Sequence, residues 1–122
     1  MPLVRSASAA LHTTPNAVMR TLAAPSVGSA ELAVWEVTMT AGQAGPPHRV
    51  DHEQVWVLVE GALSVHVGAE ILQVSAGDAA ILRADDERRV VADGNVRALV
   101  SSVAAPRVHT PDGGDRPLPW AV

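Results

Sequence analysis

The stretch "HRVDHEQVWVLVEG" at 48–61 sets two imidazoles and a carboxamide, His48, His52 and Gln54, within a few residues of one another. All three side chains can give a lone pair to a divalent ion, and an unperturbed imidazole also titrates closer to neutral pH than the other side chains, which suits it to move a proton. The three residues share parity. A chain extended through 48–54 would send them to one face and make a three-donor metal site. Without a metal, His48 is the candidate general acid or base and Gln54 the candidate for orienting a substrate.

Around these residues the sequence alternates apolar and polar positions with a period of two. Strands are expected at 31–39, 53–60, 62–67, 70–75, 78–83, 88–92 and 96–103, with a further strand near 16–22. Glycine, proline and aspartate hold the joints, and "DGN" at 93–95 is the strongest hairpin signal. The rest of the first 30 residues is irregular, and the last 17 hold four prolines and two glycines, which predicts an extended C-terminal arm pinned by Trp120. The chain reads as all-β, a sandwich or barrel. On the strand from 53 the period predicts Gln54 and Trp56 inside, Glu53 and Val55 outside.

Composition narrows the function classes. At 122 residues, 48% apolar and 18% charged, the chain is expected to fold as one domain, with the core barrel at about 31–103 and the arm at 104–122. A net charge of −4 and the absence of any basic run argue against nucleic acid. No apolar stretch is long enough for a membrane span or a signal peptide, so the expected location is cytoplasmic. Cysteine, phenylalanine and tyrosine are absent, which removes thiolate chemistry and leaves Trp35, Trp56 and Trp120 as the whole aromatic packing. The arginine-only, alanine-rich composition suits a high-GC bacterial gene.

The same stretch resembles the first signature of the cupin family, G-x5-H-x-H-x3-E-x6-G, since Gly42 lies six residues before His48 and Gly61 seven after Gln54. Starting at Gly77, "GDAAILRADDERRVVA" follows the spacing of the second signature, G-x5-P-x-G-x2-H-x3-N. The resemblance covers roughly residues 37–103 and implies a small single-domain cupin, an RmlC-like jelly-roll β-barrel that usually pairs as a homodimer. In metal-binding cupins four slots converge on one divalent ion. Here they hold His48, Val50, Gln54 and Arg88. Valine has no lone pair and a guanidinium is a permanent cation, so the metal motif is degenerate. The second signature's proline, glycine and asparagine are replaced by Arg83, Asp85 and Ala92. The family's chain path also bends before the glutamate slot, which would put His52 at the rim.

Three readings follow. In the first, the barrel binds a small anionic or enolisable organic molecule without a tightly held metal. His48, Gln54 and Arg88 would carry isomerisation or cyclisation there, Arg88 stabilising negative charge, with Trp56, Val50 and His52 lining the ligand site. In the second, a divalent metal on His48, His52 and Gln54 supports dioxygenase, isomerase or lyase chemistry. In the third, the barrel is a non-catalytic binding or structural unit with its lumen packed shut by Trp56. For Arg88 the plain alternative is an ion pair with Asp86, Glu87 or Glu53 at the rim.

Overall fold

A computed structural model describes residues 2–122. Its strands in chain order are β1 (Leu11–Thr13), β2 (Val18–Ala23), β3 (Leu32–Met39), β4 (Arg49–Val50), β5 (Gln54–Glu60) and β6 (Ala62–Val67). They continue as β7 (Glu70–Ser75), β8 (Ala79–Leu82), β9 (Arg88–Ala92), β10 (Val96–Val103), β11 (Arg107–Thr110) and β12 (Gly114–Pro117). Helical structure among the described residues is confined to three single 3-10 turns, and no helix is long and apolar enough to cross a membrane.

One sheet has the order β1-β2-β3-β10-β5-β8. The other is built from β7-β6-β9 and β12-β11-β4, which the bridge between His48 and Arg88 joins edge to edge. All pairings between strands are antiparallel. Two facing sheets linked in this way form the jelly-roll barrel expected from the alternation. The inward row of β3 is Ala33, Trp35, Val37 and Met39, and that of β10 is Val96, Ala98 and Val100, all nearly or fully buried. The opposite sheet answers with Leu63, Val65, Val74, Val90 and Ala92. Each of these sits at alternate positions of its strand, so the period of two that marked the strands also built the core.

The expected strands from 31 to 103 and the one near 16–22 are all present within one or two residues. The "DGN" reading needs correction. Residues 93–95 join β9 to β10, which lie in different sheets, so they turn a corner instead of closing a hairpin. Asn95 Oδ1 accepts the Ala41 N–H at 3.0 Å, and the Asn95 carbonyl lies against Gly61. Gly61, at φ 98°, makes the matching corner from β5 to β6. A tight hairpin does occur at Gly68 and Ala69, between β6 and β7. The C-terminal arm is extended, yet most of it is paired. Strands β11 and β12 form a hairpin added to β4, followed by a 3-10 turn at Pro119–Ala121.

Candidate functional site

Between the two sheets lies an open cavity of about 460 Å³. His48, Val50, Gln54 and Trp56 all line it, together with Trp35, Met19 and residues of the C-terminal segment. The lumen is therefore not filled by Trp56, which corrects the packed-shut reading. Trp56 forms part of the wall.

Gln54 opens β5 with its side chain inward, and Trp56 follows two residues later on the same face. Glu53 is exposed and Val55 points outward, as the register expectation required. Trp56 Nε1 and Arg88 Nη1 both lie near Gln54 Oε1, at 3.4 and 3.5 Å. Indole and guanidinium nitrogens only donate, so the chemistry fixes which end of the carboxamide is the oxygen. The amide N–H groups remain to donate elsewhere.

His48 precedes β4 and pairs with Arg88 through two backbone hydrogen bonds of 2.9 Å. Its Nδ1 lies 3.0 Å from the Pro46 carbonyl. A carbonyl accepts only, so Nδ1 carries the proton and neutral His48 presents Nε2 as a bare lone pair. Burial lowers its pKa below the ordinary value of 6.5; the Pro46 hydrogen bond opposes this in part, and the charges of Arg88 and then Arg116 add lesser pushes downward.

His52 does not join this set. The chain bends at 51–53 between β4 and β5, leaving the His52 side chain 51% exposed with Nδ1 2.8 Å from Asp51 Oδ1. Asp51 Oδ1 also accepts the Arg107 N–H at 2.8 Å, which ties the bend to β11. The His48, His52, Gln54 triad is corrected accordingly, and so is His52 as a ligand-binding residue. Of the family's four slots, Val50 is buried and donorless, and only His48 and Gln54 bring donors to the cavity. Among the described residues no group of three or more His, Cys, Asp or Glu could hold a metal ion.

Arg88 overturns both expectations held for it. It is 1% exposed, so it is not at the rim, and it does not line the cavity. Its Nε donates to the Asp86 carbonyl at 2.8 Å and its Nη2 to the Arg83 carbonyl at 2.6 Å. A buried cation surrounded by main-chain oxygens stitches the 83–88 loop to Gln54 and has no donor turned toward a substrate. In that loop Asp85, in the second signature's glycine slot, adopts φ 65°, the left-handed conformation that glycine takes without cost and aspartate tolerates.

Two wall residues escaped the sequence reading as site residues, Arg116 of β12 and Trp120 of the last turn. Trp120 was expected only as a pin. It is half-buried, its carbonyl accepts Thr21 Oγ1 at 2.9 Å, and its ring meets His12 edge-on with centroids 6.3 Å apart. Its Nε1 is buried and has no hydrogen-bond partner among the described residues. No periodic signal marks these residues, because "PDGGDRPLPW" alternates nothing.

A search of solved structures finds the same fold repeatedly. The polyketide cyclase RemF from Streptomyces resistomycificus superposes with a TM-score of 0.77 at 16% identity, covering 97% of this chain and 85% of that one. An RmlC-like cupin from Shewanella frigidimarina gives 0.73 at 19% identity, covering 83% and 88%. Salicylate 1,2-dioxygenase from Pseudoaminobacter salicylatoxidans, in a structure of its adducts with gentisate, gives 0.73 at 16%, covering 84% of this chain and 31% of the dioxygenase. A comparison with curated proteins finds no match. The cupin domain family itself matches residues 35–103, more than half of the chain, running from within β3 to the end of β10. With the two spaced signatures and the jelly-roll barrel already in view, the match makes this chain a member of the cupin domain family.

Proposed function

We propose that the barrel binds a small enolisable organic molecule and catalyses proton transfer on it, giving isomerisation or cyclisation without a bound metal. The observation that carries this reading is His48, whose Nδ1 is engaged by Pro46 while its ring lines the same cavity as Gln54 and the tryptophans. A neutral imidazole with a free Nε2 is a base at neutral pH. In the proposed step Nε2 takes a proton from a carbon beside a carbonyl. The electron pair becomes a carbon–carbon double bond, and the carbonyl oxygen gathers the charge, where the Gln54 N–H donates to it. In a β,γ-unsaturated ketone the resulting dienolate takes the proton back at the γ-carbon, which moves the double bond into conjugation and gives an isomer. Attack of the enol carbon on a second carbonyl of the same molecule, with the proton delivered to the new alkoxide, gives a ring. The structural likeness to a polyketide cyclase fits this reading as a matter of fold.

The residues present do not fit a divalent ion. His48 and Gln54 are two donors where a stable centre takes three or more, and the buried Arg88 cation next to His48 opposes a further cation there. Dioxygenase chemistry of the kind named for one structural relative therefore finds no support in the cavity's own side chains.

The test uses 2-tetralone, a bicyclic ketone, as a probe of enolisation. Exchange of its α-hydrogens for deuterium, followed by NMR in D2O, is expected to be accelerated by the protein, and His48→Ala should remove about a hundredfold or more of the acceleration. Equal rates with and without His48 would refute the proposal.

We also propose a homodimer. The outward residues Leu32, Val57, Ile81 and Val103 are exposed apolar positions on β3, β5, β8 and β10 of the six-stranded sheet, beside the Arg20–Glu36–Arg97 ion pairs of the same face, and a second copy of that face would cover them.

A further inference from the structure

We infer that Arg116 is the anion-recognition residue of the cavity, so that its ligand carries a carboxylate or similarly acidic oxygen at the end closed by the C-terminal hairpin. The inference rests on the barrel being a small-molecule site and assigns the charge that Arg88 does not provide.

Arg116 belongs to β12, a strand with every residue exposed, and yet it lines the cavity, so its guanidinium lies at the cavity mouth. Among the described residues the ion pairs engage Arg20, Arg97 and Arg107, and Arg116 is in none of them. One nitrogen, Nη1, donates to Thr110 Oγ1 and to the Gly113 carbonyl, each at 3.1 Å. These contacts hold the plane of the guanidinium while leaving Nε and Nη2 without a protein acceptor, and that edge is what binds a carboxylate through two parallel hydrogen bonds.

The seat is built for this side chain. A Cβ at Gly113 would meet both Arg116 Nη1 and Thr110 Oγ1, so with glycine there the guanidinium lies against the turn in its present position. The segment that follows supplies Trp120, which lines the same cavity. The cavity lining holds no carboxylate, so the free edge of the guanidinium has no acidic partner there. An acidic oxygen is the ligand feature that answers that edge.

Isothermal titration with 3-hydroxy-2-naphthoate and its neutral counterpart 3-hydroxy-2-naphthamide tests the assignment. The unmodified protein should bind the carboxylate about tenfold more tightly, a preference that added salt weakens because Arg116 is partly exposed. Arg116→Gln should abolish the preference by weakening the carboxylate about tenfold while leaving the amide within twofold, and Arg116→Lys should restore part of it. Arg49→Gln, which removes an exposed cation outside the cavity lining, should change neither. Equal affinity of the unmodified protein for the two probes, or equal loss of both in Arg116→Gln, would overturn the role of Arg116 and leave the small-molecule reading standing. Failure of both probes to bind the unmodified protein would overturn that reading as well.

Discussion

His48 and Arg88 show how two spatial neighbours, one from each signature, can hold very different positions. They are direct cross-strand partners, yet His48 lines the cavity while Arg88 is buried behind Gln54 with its donors on the carbonyls of Arg83 and Asp86. Replacing Arg88 with methionine would strand those carbonyls, and we expect a loss of about 3 kcal/mol in urea unfolding. A loss below about 1 kcal/mol would mean the loop is held by something else. For His48 the sign of the pH effect is set by its lowered pKa. The unfolded chain takes up a proton near 6.5 while the folded site still resists it, so stability is full above that pH and falls as the pH drops through the window beneath it. His48→Gln should therefore lose less melting temperature between pH 7 and pH 5 than the unmodified protein. At this scale much of the site was legible. Parity alone put Gln54 and Trp56 inside and Glu53 outside, and motif spacing singled out His48. The bend that expels His52 was readable only by resemblance, because alternation assumes an extended chain.

Elements with a period of two were visible from the sequence, and those defined by their partner were not. Strand β4 is two residues long and β12 is wholly exposed, so neither carries an apolar pattern, and each exists because β11 lies beside it. For the same reason Arg116 was invisible as a site residue, since the hairpin that carries it reaches the lumen through tertiary pairing. The 93–95 turn failed in the opposite way, its residues suiting a hairpin while the chain there changes sheets. Its partner corner offers a direct test. Gly61 and Gly77 both have positive φ, 98° and 92°, but a Cβ on Gly61 would run into the Asn95 carbonyl whereas one on Gly77 meets nothing within 4 Å. Gly77→Ala should cost about 1 kcal/mol from conformation alone, and Gly61→Ala about 3 kcal/mol or more as strain and collision combine. Equal costs would show that the corner can open without penalty.

For the whole molecule, the two sheets divide the work. Their facing sides make the core and the cavity, and the outer side of the larger sheet exposes Leu32, Val57, Ile81 and Val103. Sedimentation at micromolar concentration is expected to give a dimer, and Ile81→Asp, at a position 63% exposed and so harmless to the core, should give a folded monomer. A monomer before any substitution would contradict the proposed pairing. The central claim concerns the inner side, where His48 is held neutral with Nε2 free in the cavity. Nitrogen-15 NMR of the His48 imidazole across pH measures it directly. The account predicts a pKa below 6.5 and, at pH 7, a neutral ring with its proton on Nδ1. A ring still charged at pH 7, or one with its proton on Nε2, would contradict it.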